Sequence, residues 1–218
     1  MQWHRITHRV GTLMLCILLG SSGVWADKTF QALYQYVEQT YGRAAATRVK
    51  AWKVLINTHK TQSEQAQLKL VNDFFNQVRF ISDQKHWGKK DYWATPVEML
   101  ATDGGDCEDY SVAKYFTLRE LGVPMAKMSL TYVKAIKLNQ AHMVLTYYDK
   151  KGAEPVILDN LNKQIKPASE RKDLKPVYTF NGESLWLAKA RGRGRLVGKS
   201  SRLKLWVDLV ERIHQEGK

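Results

Sequence analysis

Apolar positions in the first half of the chain recur at three- and four-residue steps. Phe30, Leu33, Tyr34, Val37, Tyr41, Ala45, Val49, Trp52 and Ile56 trace one stripe. It predicts an amphipathic helix over residues 29–57, broken near Gly42. Leu68, Val71, Phe74, Phe75 and Val78 predict a second helix over 63–78, with Ser63 as N-cap and Glu64 in its first turn. Residues 87–93 are aromatic and charged without a period, and read as irregular. Pro96 opens a short helical turn through Leu100. A helix over 110–121 carries Val112, Ala113, Phe116 and Leu118 on its apolar side, and Gly122 and Pro124 end it.

The period then changes. Residues 126–136, 141–149, 156–158 and 177–180 predict strands, with turns at Asn139-Gln140, Lys151-Gly152 and Asn181-Gly182. Segments 184–189 and 195–199 predict a hairpin across Arg191-Gly192-Arg193-Gly194. Leu205, Trp206, Leu209, Val210 and Ile213 predict a closing amphipathic helix. Helices first and strands later predict an α+β fold.

The N-terminus reads as an address. Arg5 and Arg9 precede an apolar run over 10–20, and Val24-Trp25-Ala26 offers small residues around a cleavage site. Residues 1–26 are therefore expected to be a secretory signal peptide, with an uncleaved anchor as the alternative, and 27–218 a single domain. The run is short for a membrane span, which needs about 20 residues. Cys16 would leave with the signal, and Cys107 would be the one remaining cysteine. An exported chain with one cysteine forms no internal disulfide and carries a candidate reactive thiol. The formal charge is +13, or +11 once Arg5 and Arg9 are removed. Export argues against nucleic acid, leaving an acidic partner or a plain solvated surface.

That thiol lies in Asp103-Gly104-Gly105-Asp106-Cys107-Glu108-Asp109, a glycine turn opening into a helix, where the dipole favours thiolate. His142 and Asp159 follow in strand-like segments. A thiol at a helix start, a histidine and an acid supply the parts of a Cys-His-Asp nucleophilic site. The Cys107 backbone N–H, free at a helix start, is the expected oxyanion donor. The acids Asp106, Glu108 and Asp109 would oppose ionisation of the thiol. A bound cation removes that conflict, and oxygen ligands suit calcium; the other reading is acids that complement the helix dipole. Trp87, Tyr92 and Trp93, just upstream, are candidates for a substrate surface or for core. Trp52, Trp186 and Trp206 read as core.

The run Trp93-Ala94-Thr95-Pro96, then Gly105-Asp106-Cys107-Glu108-Asp109-Tyr110-Ser111-Val112-Ala113-Lys114-Tyr115-Phe116, then Leu118-Arg119-Glu120-Leu121-Gly122, resembles the bacterial transglutaminase-like cysteine proteinases, and within them the LapG-type periplasmic proteases. Ala141-His142-Met143-Val144-Leu145 and Ile157-Leu158-Asp159-Asn160 are similar to the histidine and acid segments of that family. The resemblance implies a papain/transglutaminase-like fold, with N-terminal helices and the cysteine helix packed on an antiparallel sheet. It implies a calcium requirement with Asp106, Glu108 and Asp109 as ligands, and a large cell-surface adhesin as substrate, cut in its N-terminal region to release cells from a biofilm. It further implies a LapD-like inner-membrane receptor that senses cyclic di-GMP and sequesters the protease. Transglutaminase or amidase chemistry on the same triad is the alternative, since each begins with attack of thiolate on an amide.

Overall fold

The computed structural model describes residues 22–189 and 192–216. The predicted leader, residues 1–26, lies outside them but for 22–26, the first residues of a helix. Among the described residues no helix is long and apolar enough to cross a membrane.

The long N-terminal stripe forms two helices, α1 (Ser22–Tyr41) and α2 (Arg43–His59). Gly42 separates them at φ 87°, a left-handed conformation that glycine tolerates. The next helix, α3 (Glu64–Phe75), is capped as expected: Ser63 Oγ accepts from the Ala66 amide at 3.3 Å. It stops before Val78 because Asn76 caps it and turns its amide to the Asp159 carbonyl. Three short elements follow that no periodicity announced: β1 (Arg79–Phe80), α4 (Asp83–His86), and β2 (Gly104–Gly105), which pairs parallel with β1. Between α4 and β2 lies α5 (Pro96–Thr102), held by a reciprocal capping box between Thr95 and Glu98.

The helix α6 (Cys107–Glu120) starts at the cysteine, three residues earlier than its apolar pattern suggests. It lies at the centre of the molecule, against a seven-stranded antiparallel sheet of order β6-β5-β4-β3-β7-β8-β9. Those strands are β3 (Met128–Ala135), β4 (Gln140–Tyr147), β5 (Val156–Leu158), β6 (Lys166–Pro167), β7 (Leu174–Phe180), β8 (Ser184–Lys189) and β9 (Gly192–Lys199). β7 and β9 begin earlier than expected, at Leu174 and Gly192.

On one face, Met128, Leu130, Met143, Leu145, Leu158 and Phe180 close over Tyr115, Leu118 and the helix residues Phe75 and Met99, all of them buried. On the other, Val133, Val144, Ile157 and Leu174 form a smaller cluster beside a Thr146–Thr131–Thr179 hydroxyl ladder. The terminal helix α7 (Lys204–Glu216) seals the first core by laying Trp206 on Phe116, ring centroids 5.6 Å apart, and by tying Arg212 to Glu98 and the Trp93 carbonyl. Trp206 is thus core, while Trp52 and Trp186 are half-buried. The fold is a papain/transglutaminase-like α+β arrangement, with the cysteine at the inner end of the central helix.

Candidate active site

Cys107 is the first residue of α6, and its position follows from the backbone around it. Gly105 packs so closely on the next turn that an added Cβ would lie 2.8 Å from Asp109 Cβ and Oδ2. Asp109 is fully buried; its Oδ2 accepts from the Asp106 amide at 3.0 Å and its Oδ1 from the Ala94 amide at 2.7 Å. One carboxylate thus fixes both the helix start and the loop that precedes α5. One turn further, Ser111 Oγ donates to the Cys107 carbonyl at 2.9 Å and the Met143 carbonyl at 3.0 Å. This draws the start of α6 onto β4 beside His142.

The structure brings His142 and Asp159 together. His142 Nε2 and Asp159 Oδ1 are 2.8 Å apart, and both side chains are sealed from solvent. This engages Nε2 and leaves Nδ1 as the ring nitrogen for a thiol proton. Burial alone would raise the Asp159 carboxyl, but hydrogen bonds and charge from His142 and Arg171 hold it down to about 2. The thiol itself is turned elsewhere. Cys107 Sγ donates to Glu108 Oε2 at 2.9 Å, and no hydrogen bond joins it to His142 among the described residues. Burial pushes its pKa up, and the charges of Glu108 and Asp106 push it further. Burial first, and then the neighbouring acids, oppose ionisation of the thiol.

The acid cluster is larger than the sequence indicated. Asp83 and Asp91 join Asp106, Glu108 and Asp109 in overlapping groups of three whose ligand atoms lie within 4.8 Å of one another. Asp83 Oδ1 and Asp106 Oδ1 are buried without a hydrogen-bond partner. Burial pushes the Asp83 carboxyl up to about 6 and raises Glu108 and Asp109 as well, with Asp106 adding to each. Orphaned buried carboxylate oxygens are costly, and an oxygen-rich cluster of this kind fits a hard divalent cation such as calcium.

Other neighbours had no sequence signal. Arg171 and Lys114 both reach Asp159, and Tyr132 and Tyr178 stack at 5.0 Å near Glu108, whose charge helps raise both phenols after burial. Of the upstream aromatics, Trp93 is core and stacks on Phe180. Trp87 and Tyr92 pack on each other at 4.8 Å, half-buried.

A sheet-backed helix with cysteine at its N-terminus, beside a histidine on β4 paired with an aspartate just past the end of β5, is the arrangement of thiol enzymes of the papain/transglutaminase type. The profile of the bacterial transglutaminase-like cysteine proteinases matches residues 30–178, and the chain belongs to that family. A search of curated proteins returned no match. Among solved structures, EGTA-treated Legionella pneumophila LapG is 43% identical, with a TM-score of 0.75, 84% of this chain and 97% of that chain being covered. The calcium-bound form of Legionella pneumophila LapG is also 43% identical, at TM-score 0.72 over 84% of this chain and 98% of that one.

Proposed function

We propose that this cysteine protease is a calcium-dependent periplasmic endopeptidase. Its substrate is the N-terminal region of a large cell-surface adhesin, and its cleavage releases cells from a biofilm. The proposal includes export under residues 1–26 and restraint by an inner-membrane, cyclic di-GMP-sensing receptor of the LapD type. One observation carries the reading: the His142–Asp159 pair and the acid cluster flank one half-buried thiol at a helix start. The likeness to LapG over 84% of this chain and 97% of that chain supports it, and the calcium-bound form of that relative supports the cation.

The chain's own residues divide the work. His142, oriented by Asp159, takes the thiol proton at Nδ1, and Cys107 attacks the scissile carbonyl. The Cys107 N–H, at the first turn of α6, faces the developing oxyanion. His142 returns the proton to the leaving amine, and water resolves the acyl-enzyme. Asp83, Asp106 and Glu108, with Asp109 behind them, are the residues that would hold calcium. When bound, calcium would offset the negative charge that adds to burial in opposing ionisation of the thiol.

The test uses the purified N-terminal region of an adhesin from the same organism. Cys107→Ala is expected to abolish cleavage, and His142→Ala to come close to it, since the members act as a unit. Cleavage persisting in Cys107→Ala would end the reading. Chelation is expected to stop the wild type and calcium to restore it better than magnesium, which demands a tighter octahedral shell. N-terminal sequencing of the exported protein is expected to begin at or near Asp27.

A further inference from the structure

Asp159 is held on every side. Its Oδ1 accepts from His142 Nε2 at 2.8 Å and from the Leu161 amide at 3.0 Å. Its Oδ2 accepts from Arg171 Nη2 at 2.6 Å. Only 1% of the Arg171 side chain and 0% of the Asp159 side chain are exposed. Its main-chain carbonyl takes Asn76 Nδ2 and Lys114 Nζ. Arg171 arrives from a different segment, the turn between β6 and β7, where its amide bonds the Ala168 carbonyl. Its Nε and Nη2 also donate to Asp173 Oδ1 and Oδ2, at 3.0 and 2.8 Å, so that one planar fork spans two carboxylates.

A tie between β5 and β7 needs no buried guanidinium. Desolvating one is costly, and apolar packing joins strands at least as well. Arg171 Nη1 is even left buried without a partner. What the guanidinium supplies and packing does not is a fixed carboxylate plane. With Oδ2 clamped, Oδ1 must point at the imidazole, and the imidazole must keep its proton on Nε2 and present Nδ1 to the thiol side.

We propose that Arg171 is a positioning residue of this active site: through Asp159 it sets the orientation and tautomer of His142, and Asp173 holds its fork in place. This rests on reading Cys107, His142 and Asp159 as the catalytic triad.

The experiment measures alkylation of Cys107 by iodoacetamide in the calcium-loaded protein, beside the ¹⁵N signals of the His142 ring. His142→Ala sets the rate of an unassisted thiol. Arg171→Met is expected to slow alkylation by about 10- to 100-fold, the scale of a small misplacement in a reacting pair. It is also expected to shift the His142 nitrogens from the Nε2–H form to a mixture of tautomers. Arg171→Lys keeps the charge without the fork and is expected to fall between. Asp173→Asn weakens the hold on the fork and is expected to slow alkylation less than Arg171→Met, with a smaller tautomer shift. Should Arg171→Met not fold, Arg171→Lys carries the same two readouts. Wild-type alkylation and an unchanged tautomer in both Arg171 variants, with His142→Ala slow, would overturn the role of Arg171 alone. Wild-type alkylation in His142→Ala would instead overturn the triad reading beneath it.

Discussion

Asp159 shows how burial and partners combine at a single residue. Its carboxyl lies at about 2 because His142 and Arg171 outweigh the burial that would raise it. A carboxyl depressed from 3.8 contributes stability that is present above its unfolded pKa and lost as pH falls through the folded one. The contribution at neutral pH is about 2 kcal/mol, at 1.36 kcal/mol per pKa unit. Asp159→Asn is therefore expected to be less stable than wild type above about pH 5, with the gap closing as the pH falls toward 2; chemical denaturation across that range measures it. Its cleavage rate is expected to fall by about 100- to 10,000-fold, because the histidine loses its orienting anion. Cys107, His142 and Asp159 were legible in the sequence because nucleophile, base and acid carry their chemistry in their residue types. Asp83 and Arg171 were not. Asp83 opens the four-residue α4 and Arg171 sits in a turn, neither with a periodicity to read, and only tertiary closure brings each within reach of a residue 23 positions away, as for Asp83 and Asp106, or 12 positions away, as for Arg171 and Asp159.

Among the elements, α6 carries the site, and its packing explains why its start was misread. Its buried residues run from Asp109 to Tyr115 without a gap, so the helix has no single apolar stripe for a periodicity to find. The helix over α7 and the break at Gly42 were readable because those helices keep one face in solvent. β1 and β2 have two residues each, too few to show an alternation. The central helix also buries a charge. Lys114 Nζ donates to Asn72 Oδ1, Asn76 Oδ1 and the Asp159 carbonyl, at 2.9, 2.8 and 3.1 Å. Burial pushes its pKa down to about 7, against the pull of Asp159. Three acceptors match the three donors of an ammonium. Lys114→Met keeps the length and strands those acceptors, at about 1–3 kcal/mol for each one left unsatisfied. The variant is expected to unfold at markedly lower denaturant, and its residual folded fraction to cleave slowly, because α3, α6 and the segment after β5 lose their common tie. An unchanged midpoint would mean that water or repacking replaces the ammonium.

At the scale of the whole molecule, a chain of formal charge +13 concentrates buried acid at one point. That contrast was visible in the sequence as three carboxylates around one cysteine; the buried Asp83 and the exposed Asp91 at its rim required the fold. Burial raises Asp83 to about 6 and lifts Asp109 and Glu108 in the same direction, so between pH 4 and 6 the folded state holds protons that the unfolded chain has released. Stability from such groups is full below the unfolded pKa and lost as pH rises through the folded one. The chelated protein is thus expected to melt at lower temperature at pH 7 than at pH 5, the reverse of the trend that Asp159 sets at lower pH. Calcium binds the ionised cluster of the folded state, adding about 2.7 kcal/mol at a hundredfold excess over Kd. For a chain of this size that is about 5–10 °C in Tm, growing from pH 5 to pH 7 as protons leave. Asp83→Asn removes one buried charge. It is expected to raise the Tm of the chelated protein at pH 7 while shrinking the calcium-dependent gain, two opposite changes read from one pair of melting curves. A chelated Tm that is flat from pH 5 to 7, with no gain on adding calcium, would show that these acids serve the helix start and hold no cation.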